Sequence, residues 1–250
     1  MAVNHTLARE CGDRPDNSLA KPMDKLQGIF FKDFKNAYLP EIFKELYRDC
    51  VYDPYLQGKN DLTILDIGAN IGLFSFYAQE FAKRIYAVEP SKYHFETLTK
   101  MLEFNEFKNV TPINLALANE NKTLTLNHNA NNTMFSLKDA VKDPALPGEE
   151  VDAVTIEELL KRQQIEHVDF MKLDVEGAEM EIIGGEAFDR VASKIDVVMG
   201  ENHQWNATNP EQLKAAFIDR GFKFEWLRST EAALFVAKRW IGKLRYKAEN

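Results

Sequence analysis

The stretch Asp66-Ile67-Gly68-Ala69-Asn70-Ile71-Gly72 closes a short apolar run that begins at Leu62. Glycine at such a place lets the backbone turn tightly and come close to a ligand. A second apolar run, Arg84 to Val88, ends at Glu89. A carboxylate there can accept hydrogen bonds from two ribose hydroxyls. In open α/β sheets, ligands sit at the carboxyl ends of the strands, where the strand order reverses. A strand, a glycine loop and a later acid therefore describe a nucleoside pocket.

The loop chemistry bears on which nucleoside. A dinucleotide fingerprint uses Gly-x-Gly-x-x-Gly, so that a pyrophosphate can rest on a helix N-terminus. Here the spacing is Gly-x-x-x-Gly, with Asn70 where a second close-approach glycine is expected. Asp66 adds a negative charge just before the loop. That charge is unhelpful beside a pyrophosphate and useful beside an ammonium and a sulfonium. The pattern favours S-adenosyl-L-methionine (AdoMet) over NAD.

A second acidic group follows at Val168-Asp169-Phe170-Met171-Lys172-Leu173-Asp174-Val175-Glu176-Gly177-Ala178-Glu179. Glu176 and Glu179 suit the first turn of a helix, whose dipole favours acids. Asp174 is expected at a strand end, facing the ligand crevice. Glu201-Asn202-His203 is expected just after the next strand, beside the same crevice. Asp174, Glu201 and His203 are the candidates for a base that takes a proton from a hydroxyl nucleophile. The same three side chains could bind a divalent cation. Their spacing is not diagnostic of a metal, and none is expected. His5, His94, His128 and His167 have no acidic or cysteine cluster at metal-ligand spacing and are read as solvated.

These motifs together, LDIGANIGLFS, YAVEPS, INLAL and MKLDVEGAEMEIIGG, resemble the FkbM-type methyltransferases over roughly residues 62 to 237. The glycine loop is shared by many AdoMet enzymes, whereas the Lys-x-Asp-x-Glu-Gly-Ala-Glu block is more specific. The resemblance implies a class I AdoMet-dependent fold, usually acting as an O-methyltransferase on sugars, lipids or polyketide-like hydroxyls. By motif position, Asp66, Gly68, Asn70 and Gly72 would line the methionine part of the cofactor. Glu89 would hold the ribose, and Asn114 or Ala116 would flank the adenine. Asp174 would lie near the sulfonium.

The elements that position these residues follow an alternating rhythm. Strands are expected at 62–67, 84–88, 110–115, 168–173 and 195–199, and helices at 71–82, 91–104, 155–162, 177–188 and 210–220. Two closing strands, 222–227 and 233–237, are joined by a polar turn. Such alternation means a Rossmann-like, mostly parallel seven-stranded sheet with one antiparallel strand and helices on both faces. Residues 1–25 read as a disordered leader, 26–60 as an N-terminal helical cap, 61–240 as the AdoMet-binding domain and 241–250 as a tail. Within the domain, 127–150 is an inserted excursion with long loops, a length that is often functional. Thr123 to Leu126 is expected to be a strand in a hairpin. The cap and the excursion, rich in aromatics and in Asn129, Asn131 and Asn132, are expected to form the acceptor side of the pocket.

Composition sets the outer limits. The chain has 250 residues, 45% hydrophobic and 28% charged, with a net charge of -8. That balance argues against non-specific nucleic-acid binding, which needs a basic footprint. No run approaches the ~18 apolar residues of a membrane span. Cys11 and Cys50 form no disulfide framework and no zinc pair, and unpaired thiols in a cytoplasmic protein are expected. Three function classes stand at this point: an AdoMet methyltransferase acting on a small-molecule hydroxyl, an NAD(P)-dependent oxidoreductase, and a non-catalytic AdoMet-binding protein.

Overall fold

Apolar residues alternate sides along the buried strands of the chain, and the two sides build two separate cores. The computed structural model describes residues 42, 44–128, 135–136, 148–203, 209–227 and 232–239. Strand β1 (Leu62–Ile67) sends Ile64 to one core and Leu65 and Ile67 to the other. β8 (Val168–Leu173) does the same with Phe170 on one side and Met171 and Leu173 on the other. A strand buried on both faces is the mark of a parallel sheet covered by helices.

That sheet has seven strands in the order β10-β11-β9-β8-β1-β2-β3. Its members besides β1 and β8 are β2 (Ala82–Val88), β3 (Val110–Ile113), β9 (Ile195–His203), β10 (Phe222–Trp226) and β11 (Ala232–Arg239). β11 runs antiparallel to both of its neighbours, and the other pairings are parallel. This is the expected mostly parallel sheet with one antiparallel strand. Strand order reverses at β1, which lies between β8 and β2.

Helices cover both faces. α1 (Asp53–Leu56), α2 (Leu73–Ala78) and α3 (Lys92–Phe104) contribute to one core, with Leu56, Phe74 and Leu98 fully or almost fully buried. α4 (Ile156–Arg162), α5 (Glu179–Ile183), α6 (Glu186–Val191) and α7 (Pro210–Asp219) contribute Leu159, Ile183, Phe188 and Phe217 to the other. Side-chain caps fix three starts: Ser91, Thr155 and Asn209 each accept a backbone N–H of the first turn.

Several boundaries differ from expectation for identifiable reasons. The helix expected from 71 begins at Leu73, because Gly72 is left-handed at φ +89° and caps it. It ends at Ala78, and the chain turns so that Phe81 can accept from Leu62 beside β2. The helix expected over 177–188 is two helices. Gly184 and Gly185 interrupt it, and glycine is a poor helix former. The third strand stops at Ile113 instead of 115. The fifth core strand, β9, is longer than expected and contains Glu201, Asn202 and His203, because β11 pairs with it as far as Ala232↔His203.

The flanks of the excursion are not loops. β4 (Ala116–Leu117), β5 (Lys122–His128), β6 (Phe135–Ser136) and β7 (Glu149–Val154) form a second sheet in the order β4-β7-β5-β6. The expected hairpin strand lies inside β5. Asn129, Asn131 and Asn132 lie outside the described residues, as do 1–41 and 240–250.

Of the expected cap, a π-helical turn at Lys44–Arg48 and α1 are described. Leu46, Tyr52 and Leu56 bury into the core that holds Ile64 and Phe170. Tyr52 packs on Phe74 with ring centroids 4.8 Å apart. Cys50 Sγ lies 3.7 Å from the Tyr47 carbonyl oxygen, and Cys11 lies outside the described residues. Among the described residues, no helix is long and apolar enough to cross a membrane.

Candidate active site

A pocket opens at the carboxyl ends of β1, β2 and β8, roofed by the small second sheet. Its walls include Gly68 and Asn70 from the loop after β1, Glu89 and Pro90 after β2, Ala116 and Leu126 from β4 and β5, and Asp174 and Glu176 after β8. The pocket therefore straddles the point where strand order reverses, the usual crevice of an open α/β sheet. Glu89 lies on one flank of the β1 loop and Asp174 and Glu176 lie on the other.

The glycines are required by the protein's own packing. A Cβ on Gly68 (φ +77°) would sit 1.8 Å from the Asp174 carbonyl oxygen. A Cβ on Gly72 would meet Leu98 and Met101 at 2.5 Å. Gly72 thus seats α2 against α3 and is not among the pocket-lining residues. Between them, Asn70 takes a left-handed conformation at φ +51°, which asparagine tolerates better than most residues. Its backbone N–H donates to Glu89 Oε2 at 2.8 Å.

Glu89 is buried and holds the loop ends together. Its other oxygen, Oε1, accepts from the Ser91 N–H at 2.9 Å, and His94 Nδ1 lies 3.7 Å away. His94 is 2% exposed and lines the pocket, contrary to the expected solvated ring. The signal that could have found it is the spacing Glu89-x-Ser91-x-x-His94, in which an N-cap serine sets the imidazole in the first helical turn after a strand-end carboxylate. Asn114 does not reach the pocket wall. Its Nδ2 donates to the carbonyls of Glu89 and Pro90, both at 2.8 Å, and latches the end of β2. Ala116 does line the pocket.

Asp66 is also absent from the wall. It is fully buried beneath the loop, accepts from Ser75 Oγ at 2.7 Å, and lies 3.9 Å from Lys172 Nζ. Burial raises its pKa, against the opposing pull of Lys172 and Ser75. Lys172 is closer to Asp174, at 3.1 Å, and also donates to the Gly68 carbonyl at 3.3 Å. Burial works against the charge on Lys172, but Asp174 and Asp66 outweigh it and keep the ammonium charged. Burial likewise opposes ionisation of Asp174, yet Lys172 and His203 hold its carboxyl below the usual range.

His203 stands at the centre of the acidic group. Its Nδ1 is 2.8 Å from Glu179 Oε1, and its Nε2 is 3.5 Å from Glu176, 3.5 Å from Glu201 and 3.9 Å from Asp174. Burial pulls the ring toward neutrality, but the Glu179 hydrogen bond and the charges of Asp174, Glu176 and Glu179 push its pKa up to about 10. Two neighbours respond oppositely. Burial, with Asp174 beside it, pushes Glu201 up to about 8, and burial pushes Glu176 up to about 7. Glu201 and His203 sit beside Asp174 but do not line the pocket. His167, at the opposite end of β8, lies 3.1 Å from Asp196 and 3.6 Å from Asp169.

The sheet order, the single antiparallel strand β11 and a pocket at the β1 switch point define the Rossmann-like fold of class I methyltransferases. Comparison with solved structures agrees. A methyltransferase FkbM from Methylobacillus flagellatus KT superposes with a TM-score of 0.51 at 15% identity, covering 73% of this chain and 44% of that one. SMU.1697c from Streptococcus mutans, solved in complex with SAH, gives 0.50 at 9% identity, covering 76% and 96%.

Residues 66–224 match the model of the methyltransferase FkbM domain, and the chain belongs to that family. It is similar to methyltransferase sdnD of Sordaria araneosa, 30% identical over 212 residues, covering 72% of this chain and 81% of that protein. Methyltransferase 1 of Beauveria bassiana is 28% identical over 166 residues, covering 58% and 66%. The protein is a methyltransferase, and the oxidoreductase alternative falls away.

Proposed function

We propose that this methyltransferase uses AdoMet to methylate a hydroxyl on a small molecule of the sugar, lipid or polyketide-like class. One observation carries the reading: a single pocket joins an apolar slot and a buried carboxylate on the β2 flank to two carboxylates on the β8 flank. Such a donor set fits the cofactor. The slot of Val88, Leu115, Ala116, Leu117 and Leu126 suits a flat base. Each Glu89 oxygen accepts one backbone N–H, and a carboxylate oxygen retains a second lone pair for a ribose hydroxyl. Asp174 and Glu176 suit the cationic end. A small-molecule acceptor is favoured over nucleic acid by the net charge of -8.

When bound, AdoMet supplies an activated methyl group on a cationic sulfur. The chain's own contribution is to bind, orient and manage a proton. His203, with its pKa near 10, carries protons on both nitrogens at neutral pH. It therefore organises the acids around it and does not serve as the base. As an imidazolium it also has no lone pair for a cation, so we read Asp174, Glu176 and His203 as an ion-pair cluster and not as a metal site, although their polar atoms lie within 4.8 Å of one another. Asp174, tied to Lys172 and held below the usual carboxylate range, is a weak base. The proton-accepting role falls to a carboxylate raised toward neutrality, where a general base works best.

Calorimetric titration with AdoMet, SAH and NADH tests the reading. AdoMet and SAH should bind and NADH should not. Glu89→Ala should weaken AdoMet by about 1.5–3 kcal/mol, the value of hydrogen bonds to a charged group. It should also lower stability by about 1–3 kcal/mol, since two backbone N–H groups lose their acceptor. NADH binding without AdoMet binding would sink the proposal.

A further inference from the structure

Tyr52 is held by its ring and not by its hydroxyl. It is 5% exposed and stands at the N-cap of α1. Its backbone carbonyl accepts from Tyr55 N at 3.0 Å and from Leu56 N at 3.2 Å, which fixes the main chain. Its ring lies against Phe74 of α2 and edge-on to Phe170 of β8, with centroids 4.8 and 6.2 Å away. Phe74 and Phe170 in turn stack with centroids 6.0 Å apart. Aromatic side chains from three elements thus set the direction of the phenol.

The hydroxyl lacks a hydrogen-bond partner among the described residues. Burial and the charges of Glu45, Glu201, Asp174 and Asp66 act on it, and no hydrogen bond does. Tyr77, buried in the same core, differs: its phenol donates to Asp53. Buried polar groups nearly always have a partner, and one without costs stability. The four carboxylates belong to the π-helical turn, to β9, to the end of β8 and to β1, so the Tyr52 hydroxyl lies near the strand ends that carry the site. Asp174 is common to both places, since it lines the cofactor pocket and also acts on Tyr52. Burial and these acids hold the phenol well above its usual pKa, so at neutral pH it is a donor and not a base.

We propose that Tyr52 binds the acceptor, its O–H donating to the oxygen that receives the methyl group. The inference rests on the hydroxyl-methylation reading above and names a residue that serves it. A hydroxyl oxygen carries one proton and two lone pairs. Tyr52 engages one lone pair, and the proton passes to a carboxylate; Glu201, raised to about 8, suits that part. The second lone pair is then aimed at the methyl carbon. It forms the new C–O bond, the S–C bond breaks, and the electron pair of that bond stays on sulfur. A donor already clamped by aromatic packing loses little freedom when the acceptor arrives, which favours a reactive alignment.

The test compares Tyr52→Phe with wild type, using methyl-labelled AdoMet and a panel of free sugars, monoacylglycerols and phenolic polyketides. For a compound that wild type methylates, Tyr52→Phe should lower kcat/KM by about tenfold, the scale of one lost hydrogen bond. Its AdoMet affinity, measured by calorimetry, should stay at the wild-type value. The free variant should melt at or above the wild-type temperature, because a buried hydroxyl without a partner has been removed. Tyr77→Phe is the control: it loses the bond to Asp53, so it should melt lower and keep its kcat/KM. A Tyr52→Phe variant with wild-type kcat/KM, or one that melts clearly lower than wild type, would overturn the proposal. So would a loss of AdoMet affinity as large as the loss of kcat/KM, which would set the hydroxyl against the cofactor instead. Wild type that binds AdoMet and methylates no member of the panel would refute the acceptor class proposed above, and this inference with it.

Discussion

Replacing His203 by glutamine isolates the largest electrostatic feature of the site. Glutamine keeps a donor for Glu179 and removes the charge. His203 is buried, with 6% of its side chain exposed, so solvent screens the loss little. Its pKa rises from 6.5 to about 10 on folding. A rise favours the protonated form in the folded state. The stabilisation is therefore complete below about pH 6.5 and is lost as pH climbs through about 10. At ~1.36 kcal/mol per pH unit the full rise would be worth nearly ~5 kcal/mol. Glu176 and Glu201, raised to about 7 and about 8, take up protons at the lower end and return part of it. We expect His203→Gln to cost about 3–4 kcal/mol near pH 6.5, in line with removing one member of a buried ion pair. That corresponds to roughly 10 °C in melting temperature for a chain of this size. Urea denaturation of both proteins between pH 6 and 10.5 measures it, and the two curves should converge above pH 10. A penalty below 1 kcal/mol at pH 6.5, or one independent of pH, would show that His203 is not the cation that holds these acids together.

Three further outcomes separate packing from recognition. Gly68→Ala should fail to reach a native fold, or lose several kcal/mol in a thermal melt, because the new Cβ collides with the Asp174 carbonyl. Asn114→Ala should cost about 1–2 kcal/mol of stability by freeing two carbonyls and leave AdoMet affinity unchanged; weakened binding at wild-type stability would return Asn114 to the adenine. Asp174→Asn should lose about 3 kcal/mol in denaturation as well as cofactor affinity, since it strips Lys172 of its nearest partner. A melting temperature equal to wild type would show that Asp66 alone can hold that lysine.

Much of this architecture is written in local sequence. The near-continuous apolar runs of β1 and β8, the caps at Ser91 and Thr155, and the left-handed glycines between strand and helix depend on neighbours a few residues away, so 62–67, 92–104 and 168–173 are legible from the chain alone. The pocket position follows too, because a strand order that reverses at β1 must open a crevice there. The functions of individual residues at the site were less legible. Asp66 and Asn114 are acids and amides at motif positions, yet one lies beneath the loop and the other latches β2. His94 reads as a surface residue and is buried against Glu89. Glu176 and Glu179 look interchangeable in sequence and point to different places. Each of these outcomes is set by atoms brought from distant parts of the chain: the Asp174 carbonyl that excludes a side chain at Gly68, the β11 register that carries β9 out to His203, and the second sheet that roofs the pocket. Sequence determined which charges the site contains. Only the tertiary structure decided which of them hold a proton near neutral pH, because burial and distances of a few ångströms between β1, β8, α5 and β9 shift their pKa values.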